Sequence, residues 1–155
     1  MNIKELSPTE EHYTALGKIT AYSASLDATI AGCIQDLISR ESDVVLTILT
    51  TGLPFRLKLA MLSSIHKQKV VDEGKQAELK ALLDRADEAR KERNAATHAE
   101  WIGGRKKGTI TSISARASRK QGFQFQFEVK SVKDLMALAK RIDKLADEIF
   151  YFFFR

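Results

Sequence analysis

Cysteine occurs once in the 155 residues, at Cys33, so the chain has no internal disulfide. Cys33 falls inside an apolar helical stripe and reads as a small core residue. The three histidines, His12, His66 and His98, form no CxxC, HxxxH or HExxH spacing, and neither a metal nor another cofactor is expected. No apolar run approaches the roughly 20 residues that cross a bilayer, so no membrane is expected as a partner. The first residues, "MNIKELSPTEEHY", have neither the basic start nor the apolar segment of a secretory signal, and the expectation is a cytoplasmic protein. Repeats and low-complexity segments are absent too.

What is present is ordinary globular material, 44% hydrophobic and 29% charged, in a length suited to one domain over 1–155. The net charge is +5, and its placement is uneven. Arg105, Lys106, Lys107, Arg116, Arg119 and Lys120 lie between Ile102 and Gly122 with no acid among them, which leaves −1 for the remainder. A local cluster of this kind suits a polyanion, because each cation beside a phosphate releases a counterion. A solvated loop kept soluble by charge has the same composition.

Hydrophobic periodicity predicts the elements. Ser7, Pro8 and Glu10 spell an N-cap, a first-turn proline and a capping-box acid, so a helix is expected from Pro8. Leu16, Ile19, Ser23, Leu26, Ile30, Cys33 and Leu37 carry it to about Arg40. Ser42 caps a short second helix through "DVVLTILT", Gly52 stops it, and Pro54 opens a third through "FRLKLAMLSSIHK". Asp72 caps a long fourth whose body is "EGKQAELKALLDRADEARKERNAATHA", and Gly103 and Gly104 end any continuation beyond it.

The period then changes to two. "TITSISAR" and "FQFQFEV" read as strands joined by "ASRKQG", a hairpin over about 108–130 with Phe123, Phe125, Phe127 and Val129 on one face. A lone hairpin is marginal in water, so that face is expected to pack on the bundle or on another chain. Ser131 and Asp134 form a second capping box, and Val132, Leu135, Leu138, Ile142, Leu145 and Ile149 continue a closing helix to "IFYFFFR". The aromatic tail surrounds that helix, more than one buried stripe accommodates. The expected fold is mostly α: a helical bundle of four to five helices with a β-hairpin insert before the last helix.

One stretch of the fourth helix breaks its own pattern. Leu79, Leu82, Leu83 and Ala86 share one direction on a helical wheel, and Arg90 and Arg93 lie within roughly 30° of it. A cation on a core-facing line needs a partner, a cavity or an interface, since desolvating it alone costs several kcal/mol. Asn94 and His98, four apart, stand one above the other at the edge of that stripe. Membership of the charged run "DEARKERN" explains Lys91 and Glu92 better than Arg93, and His98 alone suits a helix C-terminus. Together the three polar residues favour a site.

The segment "RNAATH" resembles the R-x4-6-H motif of the HEPN superfamily (higher eukaryotes and prokaryotes nucleotide-binding domains) in its R-N-x3-H form. The order of elements is similar as well: a long first helix, a "G-x-P" link into the third, the motif near the end of the fourth with Trp101 soon after, and a closing helix. The hairpin is an elaboration of the minimal all-helical pattern.

The resemblance implies a HEPN-like bundle and a homodimer whose two motif helices form a composite site. In many members that site is a metal-independent endoribonuclease, at times a toxin or anti-phage effector held by an antitoxin protein. Arg93, Asn94 and His98 then match the catalytic positions. Imidazole as a class titrates near neutrality and suits transfer of the ribose 2′-hydroxyl proton, and guanidinium suits the charge that builds on phosphate. Arg90, Arg105, Lys106, Lys107, Arg116, Arg119, Lys120 and Trp101 are the candidate RNA contacts, although a tryptophan in this position is more often a packing residue. Two other readings stand beside this one. One is a non-catalytic HEPN module binding a nucleotide, RNA or protein partner. The other is a structural dimer in which Arg93 pairs with Glu92 or Asp87.

Overall fold

A computed structural model describes residues 7–39, 44–104, 106–118 and 122–155. Five helices and three strands follow in the order α1 (Glu10–Ile38), α2 (Val44–Thr51), α3 (Phe55–Lys69), α4 (Glu73–Thr97), β1 (Glu100–Gly103), β2 (Thr109–Ser118), β3 (Gly122–Ser131) and α5 (Val132–Phe154). The chain is mostly helical, with a small antiparallel sheet before the last helix, as expected from its periodicity.

Local chemistry sets the helix ends. Thr9, not Ser7, precedes the first turn of α1: its backbone N–H donates to His12 Nδ1 at 3.2 Å, and its hydroxyl lies 2.8 Å from the same nitrogen. His12 thus occupies the position that a glutamate holds in a capping box, and α1 starts two residues later than Pro8. The proposed Ser42 cap lies outside the described residues. Asp72 Oδ1 accepts from the N–H of Lys75 at 3.0 Å and caps α4. At α5 the box is complete: the Ser131 N–H donates to Asp134 Oδ2 at 2.9 Å, and the Asp134 N–H donates to Ser131 Oγ at 3.2 Å.

The chain divides into two compact units, and α1, α4 and α5 each contribute to both. One unit comprises 22–90 and 141–155. It buries Leu26, Ile30, Cys33 and Ile34 of α1, Leu62 of α3, Leu79, Leu83 and Ala86 of α4, and Ile142, Leu145 and Ile149 of α5. Each such leucine or isoleucine contributes about 1.5–3 kcal/mol of transfer free energy. Thr50 joins α2 to α1, accepting from Gln35 Nε2 at 2.8 Å while its hydroxyl donates to the Leu46 carbonyl at 2.8 Å. In the aromatic tail, Phe152 and Phe153 flank His66 with ring centroids 5.5 and 5.8 Å away, whereas Phe150, Tyr151 and Phe154 remain about half exposed.

The other unit comprises 1–21 and 91–140 and contains the whole sheet. Strand order is β1-β2-β3, so the insert has three strands, one more than alternation revealed. The four residues of β1 are too few to show a period, and they form a strand because β2 offers its free side to them, pairing Glu100 with Ile113 and Gly103 with Ile110. Gly104 then closes on Thr109: its N–H donates to the Thr109 carbonyl at 3.0 Å, and a Cβ at position 104 would come within 2.5 Å of that oxygen. Only glycine allows that approach.

The two faces of the sheet differ. Ile110 and Ser112 are buried on one, while Phe123, Phe125, Phe127 and Val129 are all exposed on the other. The phenylalanines therefore do not pack on the bundle.

Candidate functional site

The leucines of α4 run through Leu79, Leu82, Leu83 and Ala86 into the small residues Ala89 and Ala96, all buried. Arg93 lies beside the last two and is half-buried, as is Asn94, while His98 is exposed at the helix end. The last turn is closed by the Thr97 hydroxyl donating to the Arg93 carbonyl at 2.9 Å and the His98 N–H donating to the Asn94 carbonyl at 3.1 Å. Arg93 and His98 thus have fixed backbones. The Arg93 guanidinium has no partner among the described residues.

Arg90 differs. Its Nε donates to Asp87 Oδ1 at 2.9 Å, one turn back on the same helix. That pair occupies the Asp87 carboxylate considered above as a partner for Arg93.

Trp101 stands on β1, and its indole N–H donates to the Ala96 carbonyl at 2.8 Å, satisfying an acceptor that the end of α4 would otherwise leave open. Its ring also helps to line a cavity of about 330 Å³ with Glu92, Ala95, Ser112, Glu128 and Asp134. Beneath the sheet the small Ala95 and Ala96 leave this space. Packing accounts for Trp101, and its indole N–H is already engaged.

The described basic candidates lie on separate elements. Lys106 and Lys107 are exposed on the β1–β2 turn, where the Lys106 carbonyl accepts from the N–H and hydroxyl of Thr109. Arg116 stands on β2 in register with Gln124. Arg105, Arg119 and Lys120 lie outside the described residues. The structure gathers Arg93, Asn94, His98 and Trp101 at the C-terminal end of α4 and on β1; Arg90 belongs to the other unit.

Two features escaped the reading of the sequence. Lys58 on α3 is only 2% exposed and bonds Asp27 on α1 at 2.6 Å. Lys58, Leu59, Leu62 and His66 recur at helical spacing and are all buried, so the argument that drew attention to Arg93 applies equally to Lys58.

The second feature is a groove of about 640 Å³ lined by Arg56, Ser63, His66, Glu73, Asp84 and Asp87 among others. Burial and then the Lys75 ammonium hold the His66 imidazole below its ordinary pKa. Its charges are of both signs, and no group of three or more His, Cys, Asp or Glu side chains among the described residues is placed to hold a metal ion.

Compared with known proteins, the chain matches no protein-family model, no curated protein and no solved structure. No described helix is long and apolar enough to cross a membrane.

Proposed function

We propose that the protein is a metal-independent endoribonuclease whose site is assembled from two copies of the α4 C-terminus, the activity that its resemblance to HEPN proteins implies. The observation that carries the reading is Arg93: a half-buried guanidinium beside the apolar line of α4, without a partner among the described residues, five residues before an exposed histidine that a second copy could bring to the same phosphate. Its charge suits an anion that arrives from outside the chain. In the mechanism, His98 accepts the proton of the ribose 2′-hydroxyl as that oxygen attacks phosphorus. The P–O5′ bond breaks, and the leaving oxygen takes a proton from His98 of the partner subunit, leaving a 2′,3′-cyclic phosphate and a 5′-hydroxyl. Arg93 stabilises the added charge on the non-bridging oxygens, and Asn94 orients phosphate or imidazole. Lys106 and Lys107 hold the strand's backbone without selecting sequence. A toxin or anti-phage role, under control of an antitoxin in the cytoplasm, follows from the same resemblance.

The test is cleavage of a fluorescent RNA in EDTA by wild type, His98→Ala and Arg93→Ala proteins, with end-group analysis. Loss in both variants with cyclic phosphate ends in the wild type supports the reading. Equal activity in all three overturns it. Binding of RNA or nucleotide without cleavage transfers the site to a non-catalytic HEPN module.

A further inference from the structure

The outer part of the hairpin extends past β1. β1 pairs only with Ile110–Ile113, so from Ser114 and Gln126 outward β2 and β3 form a two-stranded ribbon. Every β3 residue from Gly122 to Val129 is exposed. Ribbons of this kind are marginal by themselves, and this one carries Phe123, Phe125, Phe127 and Val129 at 63, 59, 66 and 55% exposure. Their rings already touch, with centroids 4.9 Å apart for Phe123 and Phe125 and 6.4 Å for Phe125 and Phe127. The register adds Ile102, 42% exposed, through Thr111 and Val129. The result is a continuous apolar strip along the sheet.

We infer that this strip is a dimerisation surface whose occupant is the same strip of a second copy, the two laid face to face across a two-fold axis near Gln126. The charge distribution argues for an apolar partner over nucleic acid. Register positions on this face include no lysine or arginine, and their one charge is Glu100 at the β1 rim, so a phosphate backbone would find nothing to neutralise it. The pattern is self-complementary: the axis brings Phe125 of each copy against the region of Phe127 in the other, and no like charges meet at the centre. The area suffices. At about 200 Å² for a whole phenylalanine, the exposed fractions of these five residues amount to roughly 500 Å² per copy. Two strips together remove about 1,000 Å² from water, the threshold of a specific interface.

The inference does not depend on the nuclease reading. Light scattering at 100 µM is the first measurement, on wild type, on Phe125→Lys/Phe127→Lys, on Phe125→Glu/Phe127→Glu, and on an equal mixture of the two variants. The expected result is a wild type of twice the mass of either variant, whether those variants are monomers or the α4-paired dimers of the nuclease reading, and the wild-type mass restored in the mixture, because facing strips bring opposite charges together. A monomeric wild type overturns the inference. So does a wild-type mass that survives the lysine substitutions, which would leave an α4-mediated dimer and its nuclease site untouched. Variants of half the wild-type mass whose mixture does not regain that mass overturn the face-to-face arrangement.

Hydrogen exchange on wild type needs no substitution: β3 amides are expected to lose protection when dilution dissociates the dimer, and unchanged β3 exchange across that dissociation counts against the inference. Cleavage assays on the same variants distinguish the two proposals, since a dimer through Phe125 and Phe127 with no cleavage sinks the nuclease alone.

Discussion

Lys58 and Arg93 are both cations on apolar helical lines, and the chain treats them in opposite ways. Lys58 is buried and has Asp27 at 2.6 Å, supplied by a helix 31 residues earlier. Arg93 is half-buried and has no such carboxylate among the described residues, while its neighbour Arg90 has Asp87. The same signal in sequence therefore has two meanings, and the partner separates them. A paired cation is part of the architecture; an unpaired one on the same helix end as an exposed histidine is a candidate for chemistry.

That contrast can be broken from either end. The largest effect is expected at the unpaired end: Arg93→Ala should lower RNA cleavage by about 10²–10³-fold, the usual loss on removing one donor to a developing charge, with a melting temperature near that of wild type. A stability loss as large as that of Asp27→Ala would instead make Arg93 a structural cation. At the paired end, Asp27→Ala strands a buried ammonium and should cost about 3 kcal/mol in urea unfolding, near the lower limit for breaking such a pair because Asp27 is partly exposed. Lys58→Met/Asp27→Leu, which removes both charges, should recover most of it.

Smaller effects come from pH. The His66 imidazole has its pKa lowered from 6.5, so the unfolded chain binds the proton first, and stability is lost as pH falls below 6.5 toward the folded value. His66→Gln should flatten the melting temperature across that window, and an unchanged slope would refute it. The Glu148 carboxyl is held below 4.5 by its bond to Arg85 at 2.5 Å, against the opposing effect of burial. Its contribution is present above the unfolded value and lost as pH falls through the folded one. Arg85→Gln should remove it; for a pair this exposed the change is under about 1 kcal/mol, read from unfolding at pH 6 and pH 3. The Cys33 thiol, pushed up to about 12 by burial and then by Asp36, should not react with iodoacetamide until the chain unfolds.

Much of this fold was legible because its signals are short. The Ser131–Asp134 box and the Asp72 cap join residues three apart, and the Phe123–Val129 alternation is a property of adjacent positions. His12 was not legible as the residue reaching back to Thr9, because the capping box is ordinarily written with glutamate or glutamine. β1 was not legible at all: "EWIG" has no periodicity to detect, and its identity as a strand comes from the edge that β2 presents. At the candidate site, the position of Arg93 beside the buried line followed from counting along α4. The engagement of Trp101 did not follow, since its bond to the Ala96 carbonyl requires the chain to turn back after Thr97.

By itself, then, the sequence determined which segments are helical, where α4 and α5 begin, which faces are apolar, and that a cation lies beside the α4 core line, because hydrogen bonds and side-chain periods within a few residues decide those things. Only the tertiary structure decided that Lys58 meets Asp27, that β1 completes the sheet, and that the phenylalanine strip faces solvent. Each of these depends on what distant segments bring alongside, and no local free energy specifies it.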